Sequence, residues 1–390
     1  MRPAPAVVVL LALSLCVPCG RAAGADGPET REGVFTPGVW SSLNRAGGNA
    51  HQLLRALSEA PEGDREAVRF LLESLPSSDL ATVDSAFLLE TARLAREARE
   101  RFPWGRDVPD AVFLRYVVAP RVSQEPLERW RGYLLDEIGP RLEGLTSMTE
   151  AALEVNRWCG ERVTFRPTER RDQGVFETLA SGYGRCEELV ILHISALRSV
   201  CIPAREAWTP YWPTMDNNHA WTEVWVDGGW HYAGACEPSD ALDDAWFNGT
   251  VKNAALVFSS ALGSAAPGED AYRSEERYAI VNSTKRYTDA GTLEVLVTSS
   301  GVPSASVPVT VSLWNFGALR PIARKETSSD GTIRIAMGDG DYFVCAGGPR
   351  GYDWTTVRIA ADDSTAVSLD LDASPPFAGE FELRYDSEED

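Results

Sequence analysis

The residues with the clearest chemical potential lie in the segment Gly182-Tyr183-Gly184-Arg185-Cys186-Glu187-Glu188, which runs into the apolar stretch 189–197. Two glycines permit a tight turn, and the apolar run places Cys186 in the first turn of a helix. Backbone N–H groups and partial positive charge gather at a helix N-terminus and favour thiolate over thiol, the form that attacks a carbonyl. Glu187 and Glu188 in the same turn oppose this, so a cationic partner is needed. The sequence holds four histidines. His193 follows Cys186 on the same helix at roughly 10 Å along the axis, too far to exchange a proton, and reads as a packed helix residue. His51, in a helical region, and His231, which follows Trp230 in a strand, read as structural. His219 is left to act as the base.

His219 opens the alternating segment His219-Ala220-Trp221-Thr222-Glu223-Val224-Trp225, and the chain returns after Asp227-Gly228-Gly229 through Trp230 to Cys236-Glu237-Pro238. A three-residue loop over 227–229 pairs Val226 with Trp230 and sets His219 across from Glu237 on one side of the ribbon. There a carboxylate would fix the imidazole tautomer and leave the other nitrogen for Cys186. A two-residue loop would put the two side chains on opposite faces. For the oxyanion, the Cys186 amide is one natural donor, with Gln173 or Trp158 as the second. Six of the 12 tryptophans lie between positions 208 and 246. Trp208, Tyr211, Trp212 and Trp221 are the candidates to line a substrate cleft, and 208–218, rich in Pro and Tyr, reads as its loop; for any single ring, core packing is the alternative. A zinc site built from Cys186, His219, Cys236 and Glu237 lacks a close Cys-x-x-Cys or His-x-x-x-His pair. A buried structural thiol, or half of a disulfide, is the other alternative for Cys186.

Gly182, Gly184, Cys186, Arg198, Ile202-Pro203-Ala204-Arg205 and the strand from His219 to Val224 occur in the order typical of one family. Together, over about residues 150 to 260, they resemble the transglutaminase-like superfamily, the papain-related fold of transglutaminases, certain peptidases and peptide N-glycanases. The resemblance implies Cys186 as nucleophile, His219 as base and Glu237 as acid, a thioester intermediate and no cofactor. Two departures stand out. Cys201 occupies the place of the usual glycine before Ile-Pro-Ala-Arg. Glu237-Pro238 follows Trp230 by seven residues, where an Asp-Pro at four is usual, so Asp240, Asp243 and Asp244 are substitutes for the acid. The form of 234–238 is similar to that of a branch of exported bacterial proteins with a helical N-terminal region and a C-terminal β-sandwich. Water as acyl acceptor gives a peptidase or amidase, and an amine gives a cross-linker. Hydrolysis is favoured, because amine transfer needs a second site that shields the thioester from water. A catalytically silent, envelope-associated binding protein is the reading from a different class.

The elements that must position these residues read as a multidomain α+β chain. Helical spacing, as in Leu53, Leu54 and Leu57 or Phe87, Leu88, Leu94 and Ala98, marks a helical N-terminal region over 26–145, including a helix over 126–138. Ser147-Met148-Thr149-Glu150 has the capping-box form and opens a transglutaminase-like unit over 146–290. Period-2 runs such as Leu293/Val295/Val297 and Ile333/Ile335/Met337 mark an all-β sandwich over 291–373, resembling transthyretin-like or carboxypeptidase-regulatory-like modules. An acidic tail, 374–390, ends the chain.

The 390 residues carry 57 acidic and 37 basic side chains, a net charge of −20 that repels phosphate backbones and excludes nucleic acid as a natural partner. Residues 1–25 have the form of a signal peptide: Arg2, an apolar stretch over 6–17, and Ala23-Gly24-Ala25. Losing its two arginines would take the charge to −22. A lipoprotein anchor is the less favoured alternative, since Leu15 and Pro18 precede Cys16 and Cys19. The expectation is a periplasmic or extracellular protein without a transmembrane segment, acting on a protein or peptide. Five cysteines remain after the leader, an odd number that leaves at least one thiol unpaired.

Overall fold

The computed structural model describes residues 35–168, 171–275 and 277–376. The expected leader and the acidic tail beyond 376 lie outside the described residues. The N-terminal part is helical: α1 (Pro37–Ala46), α2 (Ala50–Glu59), α3 (Arg65–Ser74), α4 (Ser77–Leu80), α5 (Ser85–Arg101), α6 (Asp110–Phe113) and α7 (Trp130–Ile138). The breaks fall at the Gly and Pro clusters, where residues lack either backbone restriction or an N–H donor. Asp84 caps α5 by accepting from the Phe87 amide at 2.6 Å. The helix expected over 126–138 begins only at Trp130, because buried Glu125 turns back to accept from the Val122 and Ser123 amides at 2.6 and 2.8 Å.

The central part follows as α8 (Met148–Gly160), β1 (Thr164–Phe165), α9 (Val175–Ser181), β2 (Tyr183–Gly184), α10 (Cys186–Ser199), β3 (Ala204–Thr209), β4 (His219–Val226), β5 (Gly229–Ala233), α11 (Asn248–Val251), β6 (Phe258–Leu262), β7 (Ala271–Ser274) and β8 (Tyr278–Asn282). Ser147 caps α8 through the Glu150 amide at 3.3 Å. The six-stranded sheet has the order β5-β4-β3-β6-β8-β7. α10 is almost wholly buried, its apolar residues broken by Glu188, His193, Ser195, Arg198 and Ser199, which are buried too. One continuous core joins it to α1–α5, α7, α8 and one face of β3 and β4, so the helical region and the sheet share their interior.

Two four-stranded sheets complete the α+β chain. One has the order β10 (Val302–Pro303), β9 (Ala290–Ser299), β13 (Thr332–Gly338), with β16 (Ser364–Asp370) parallel to β9; the other runs β12 (Ala318–Glu326), β11 (Pro308–Asn315), β14 (Gly340–Gly348), β15 (Gly351–Ile359). Period-2 spacing revealed β9, β11, β13, β15 and β16 but missed β12 and β14. β12 is a charged edge strand carrying Pro321 where the ladder slips, and β14 is rich in glycine. The sandwich docks closely on the central sheet: the Gly338 amide donates to Ala255 O at 2.9 Å, and a Cβ at Gly338 would stand 2.0 Å from Ala254 O. Among the described residues, no helix is long and apolar enough to cross a membrane.

Candidate active site

Cys186 is the first residue of α10, after Gly182 in the left-handed region (φ 73°) and the two-residue strand β2. Its thiol is partly buried and in no disulfide. Burial pushes it above the ordinary thiol range; the Glu187 carboxylate adds to this, while N–H groups of Ala220 and Glu187 and the Arg185 charge work in the opposite direction. Burial therefore outweighs the helix terminus, and the resting group is a thiol. The two acidic neighbours are held by Arg185. Its guanidinium contacts Glu187 at 2.9 Å, Glu188 at 3.4 Å and Asp172. Glu188 is fully buried and closes the helix start by accepting from the Arg185 amide at 2.9 Å, the Gln173 amide at 3.1 Å and the Thr168 hydroxyl at 2.8 Å. Arg185 is thus the cation that the carboxylates called for, a role that sequence reasoning had left unassigned.

The Ala220 amide that favours the Cys186 thiolate follows His219 directly, which puts Cys186 near the start of β4. β5 stops at Ala233, opposite Thr222, and leaves this stretch of β4 without a neighbour on that side. The imidazole sits among Trp246 (ring centroids 4.9 Å apart), Phe247 (5.0 Å), Trp221 (5.9 Å) and Trp212 (6.5 Å). Burial alone drives it down to about 4, so it is a neutral base at neutral pH. His193 is buried beneath the sheet, 3.1 Å from the Thr222 hydroxyl, and is pushed down to about 3. His231 pairs with Asp243 at 2.6 Å, and His51 meets Gly48 O at 3.0 Å.

The hairpin differs from the register expected. Val226 pairs with Gly229 and Trp225 with Trp230, so the turn is the two residues Asp227-Gly228, both with positive φ (51° and 82°). Asp-Gly suits this primed turn, whose twist matches the flanking strands. The ribbon therefore does not set Glu237 opposite His219. The chain instead leaves β5 through Gly234, Ala235 and a left-handed Cys236 (φ 57°), with the Glu237 amide donating to Gly234 O at 3.3 Å. Asn156 on α8 pins this turn by donating to Gly234 O at 2.9 Å and Glu237 O at 3.0 Å. Burial raises the Glu237 carboxyl, and the nearby Trp246 indole works in the opposite direction. Glu237 Oε2 and His219 Nε2 are both buried and have no hydrogen-bond partner among the described residues. Trp246 stands against both groups. Of the substitutes, Asp243 is held by His231 and the Tyr232 amide (2.8 Å), and Asp244 by the Ser239 hydroxyl (2.7 Å); Asp240 is exposed.

Residues 136–235 match the sequence model of the transglutaminase-like superfamily. The chain carries a transglutaminase-like domain. The match includes Cys186 and His219 and ends two residues before Glu237. No curated protein matches the sequence. Solved structures similar to parts of the chain include red sea bream transglutaminase (TM-score 0.31, 11% identity, 67% of this chain and 65% of that one). A candidate cysteine protease of Cytophaga hutchinsonii gives 0.24, 18%, 40% and 57%, and a candidate protease of Parabacteroides distasonis 0.25, 13%, 59% and 37%. The chain thus spans between about a third and two thirds of the length of these proteins.

Two motifs of the transglutaminase-like domain meet behind the site. His219, Trp221 and Glu223 share one face of β4 by the period of a strand. Arg205 of the Ile-Pro-Ala-Arg segment pairs with Glu223 at 2.5 Å, both 1% exposed, and with Glu269 at 2.5 Å. Tyr287 donates to Glu223 at 2.7 Å and accepts from the Trp221 indole at 3.0 Å, so the ion pair orients the ring beside His219. Cys201, at the family's glycine position, has φ 60°, the left-handed conformation that glycine adopts without strain. Of the proposed oxyanion donors, Trp158 is fully buried under the Arg162 guanidinium. The side-chain oxygen of Gln173 accepts from Thr178 and Ser181, both at 3.3 Å. Trp212 and Trp221 are buried and form the wall of the imidazole pocket, while Trp208 and Tyr211 pack towards the sandwich. The exposed aromatic at the site is Trp246, at 57%. Its signal in the sequence was its place in the tryptophan cluster, but no spacing tied it to His219.

Proposed function

We propose that this chain is an exported cysteine hydrolase that cleaves amide bonds in a protein or peptide. Membership of the transglutaminase-like superfamily supports a cysteine enzyme. The observation that carries the finer reading is a thiol in no disulfide, at the first residue of α10, under the influence of the amide that follows a neutral His219. In the proposed reaction His219 takes the Cys186 proton as the sulfur adds to the substrate carbonyl carbon. The imidazolium then protonates the departing amine, the carbon–nitrogen bond breaks and a thioester remains. Water, deprotonated by the same imidazole, attacks the thioester; the acid leaves and the sulfur regains its proton. The Cys186 amide, at a helix terminus where it has no intrahelical acceptor, is the assigned oxyanion donor. Transfer to an amine would follow the same first half and differ only in the acceptor.

The test is incubation of a glutamine-containing protein with a fluorescent primary amine. New chain ends or released ammonia without incorporated label are expected. Incorporation of label would replace hydrolysis by amine transfer, and neither outcome over a broad panel of substrates, with Cys186→Ala as control, would overturn the enzymatic reading.

A further inference from the structure

The loop that carries Trp212 has no regular structure between β3 and β4. Internally it is closed by two backbone bonds, Trp212 N–H to Asn217 O and Asn217 N–H to Met215 O, both 2.9 Å. Its external ties come from the C-terminal sandwich. Asn315, the last residue of β11, is 1% exposed, and its side-chain amide donates to Trp212 O at 2.9 Å and to Met215 O at 2.8 Å. At the β11–β12 turn, Phe316 N–H donates to the Asp216 carboxylate at 2.6 Å. Phe316 and Gly317 both have positive φ (50° and 67°), so the tip is a tight primed turn on a rigid hairpin. Arg320 on β12 steadies the tip by donating to Asn315 O at 3.3 Å, and its guanidinium lies 6.0 Å from the Tyr211 ring. The far side of the loop bears on the site: the Trp212 indole is fully buried, stacks on Trp221 at 6.0 Å and 10°, and faces His219. Its indole N–H has no hydrogen-bond partner among the described residues, so no polar bond of its own side chain holds the ring there.

We propose that Asn315, from the C-terminal sandwich, is a positioning residue for the cysteine–histidine site, holding the 212–217 loop so that Trp212 closes the apolar pocket around His219. This rests on the reading of His219 as the base. Asn315 never touches the reacting atoms; it acts through the backbone of Trp212. The sandwich is thereby a structural component of the site. Separated from it, the loop would lose the Asn315 side-chain donor and the Phe316 backbone donor at once.

The test uses the full chain with Asn315→Asp, which keeps the shape but sets a carboxylate against two carbonyls, and Asp216→Ala, which loosens the same joint from the loop side without altering the sandwich. Hydrogen exchange reads the joint. The Trp212 and Asn217 amides are expected to exchange about ten-fold or more faster in both variants while the amides of β11 and β14 keep their protection. Nuclear magnetic resonance reads the consequence: the His219 titration midpoint should rise from about 4 towards 6.5. Unchanged exchange at 212 and 217 in both variants would overturn the proposal, and so would faster exchange with an unmoved midpoint. Should Asn315→Asp fail to fold, Asp216→Ala decides. If wild-type Cys186 shows no catalysis, the hydrolase reading falls, whereas the exchange and titration results still judge the clamp.

Discussion

Trp246→Ala is the most informative single perturbation of the site. The indole is the ring nearest to the His219 imidazole, at 4.9 Å, and at 57% exposed it is also the one that separates the imidazole from solvent. It also favours the ionised form of the nearby Glu237 carboxyl. Removing it admits water and leaves that carboxyl to turn towards the imidazole, and both changes favour the protonated ring. The gap between about 4 and the ordinary 6.5 is worth about 3 kcal/mol, which is the most the variant can recover. At that limit the neutral fraction of His219 at pH 5 would drop from about nine-tenths to about 3%, so a rate that needs the free base would fall about 30-fold. The assay is a magnetic resonance titration of the four histidines, with His219 assigned by its own substitution. Trp246→Phe separates the two causes, because it keeps an apolar ring but lacks the N–H; its midpoint should stay close to that of the wild type. A wild-type midpoint near 6.5, or no difference between wild type and Trp246→Ala, would refute the reasoning.

Three further outcomes are expected. Glu223→Gln removes the fully buried one of the two carboxylates that pair with the Arg205 cation at 2.5 Å and should destabilise the fold by about 3 kcal/mol in urea unfolding, whereas a loss below about 1 kcal/mol would mean that the pair behaves as a surface contact. His193 is neutral in the fold down to about pH 3 but protonates near 6.5 when unfolded, so the unfolded chain binds the extra proton and stability contributed by this group is lost on acidification between those values. The stability difference between wild type and His193→Gln should therefore change by about 1.4 kcal/mol per pH unit below 6.5, and a pH-independent difference would contradict the burial argument. In native protein, a thiol alkylator should label the partly exposed Cys186 and Cys345 and spare Cys159, Cys201 and Cys236, which are buried, Cys201 being pushed up to about 12. Native labelling of any of those three, read by peptide mass, would contradict the packing.

The sequence by itself determined the parts whose cause is local. A glycine pair before an apolar run makes a helix start, so Cys186 could be placed there, and period-2 spacing set His219, Trp221 and Glu223 on one face of a strand. Long-range packing decided the rest. The Asp227-Gly228 turn took two residues rather than three, and β5 ended at Ala233, so the ribbon does not carry Glu237 to a place opposite His219. Nothing local to Asp172, Glu187 and Glu188 shows that one arginine gathers all three. The resting state of Cys186 and His219 was likewise decided by tertiary structure, since a helix terminus favours a thiolate while the rings and strands closed around the pair favour neutral groups. Nor could spacing reveal that Asn315, about a hundred residues along the chain from Trp212, holds the loop beside the base. Secondary structure follows from neighbours in the chain, but desolvation depends on every group that surrounds an atom in space, and only the folded chain specifies that set.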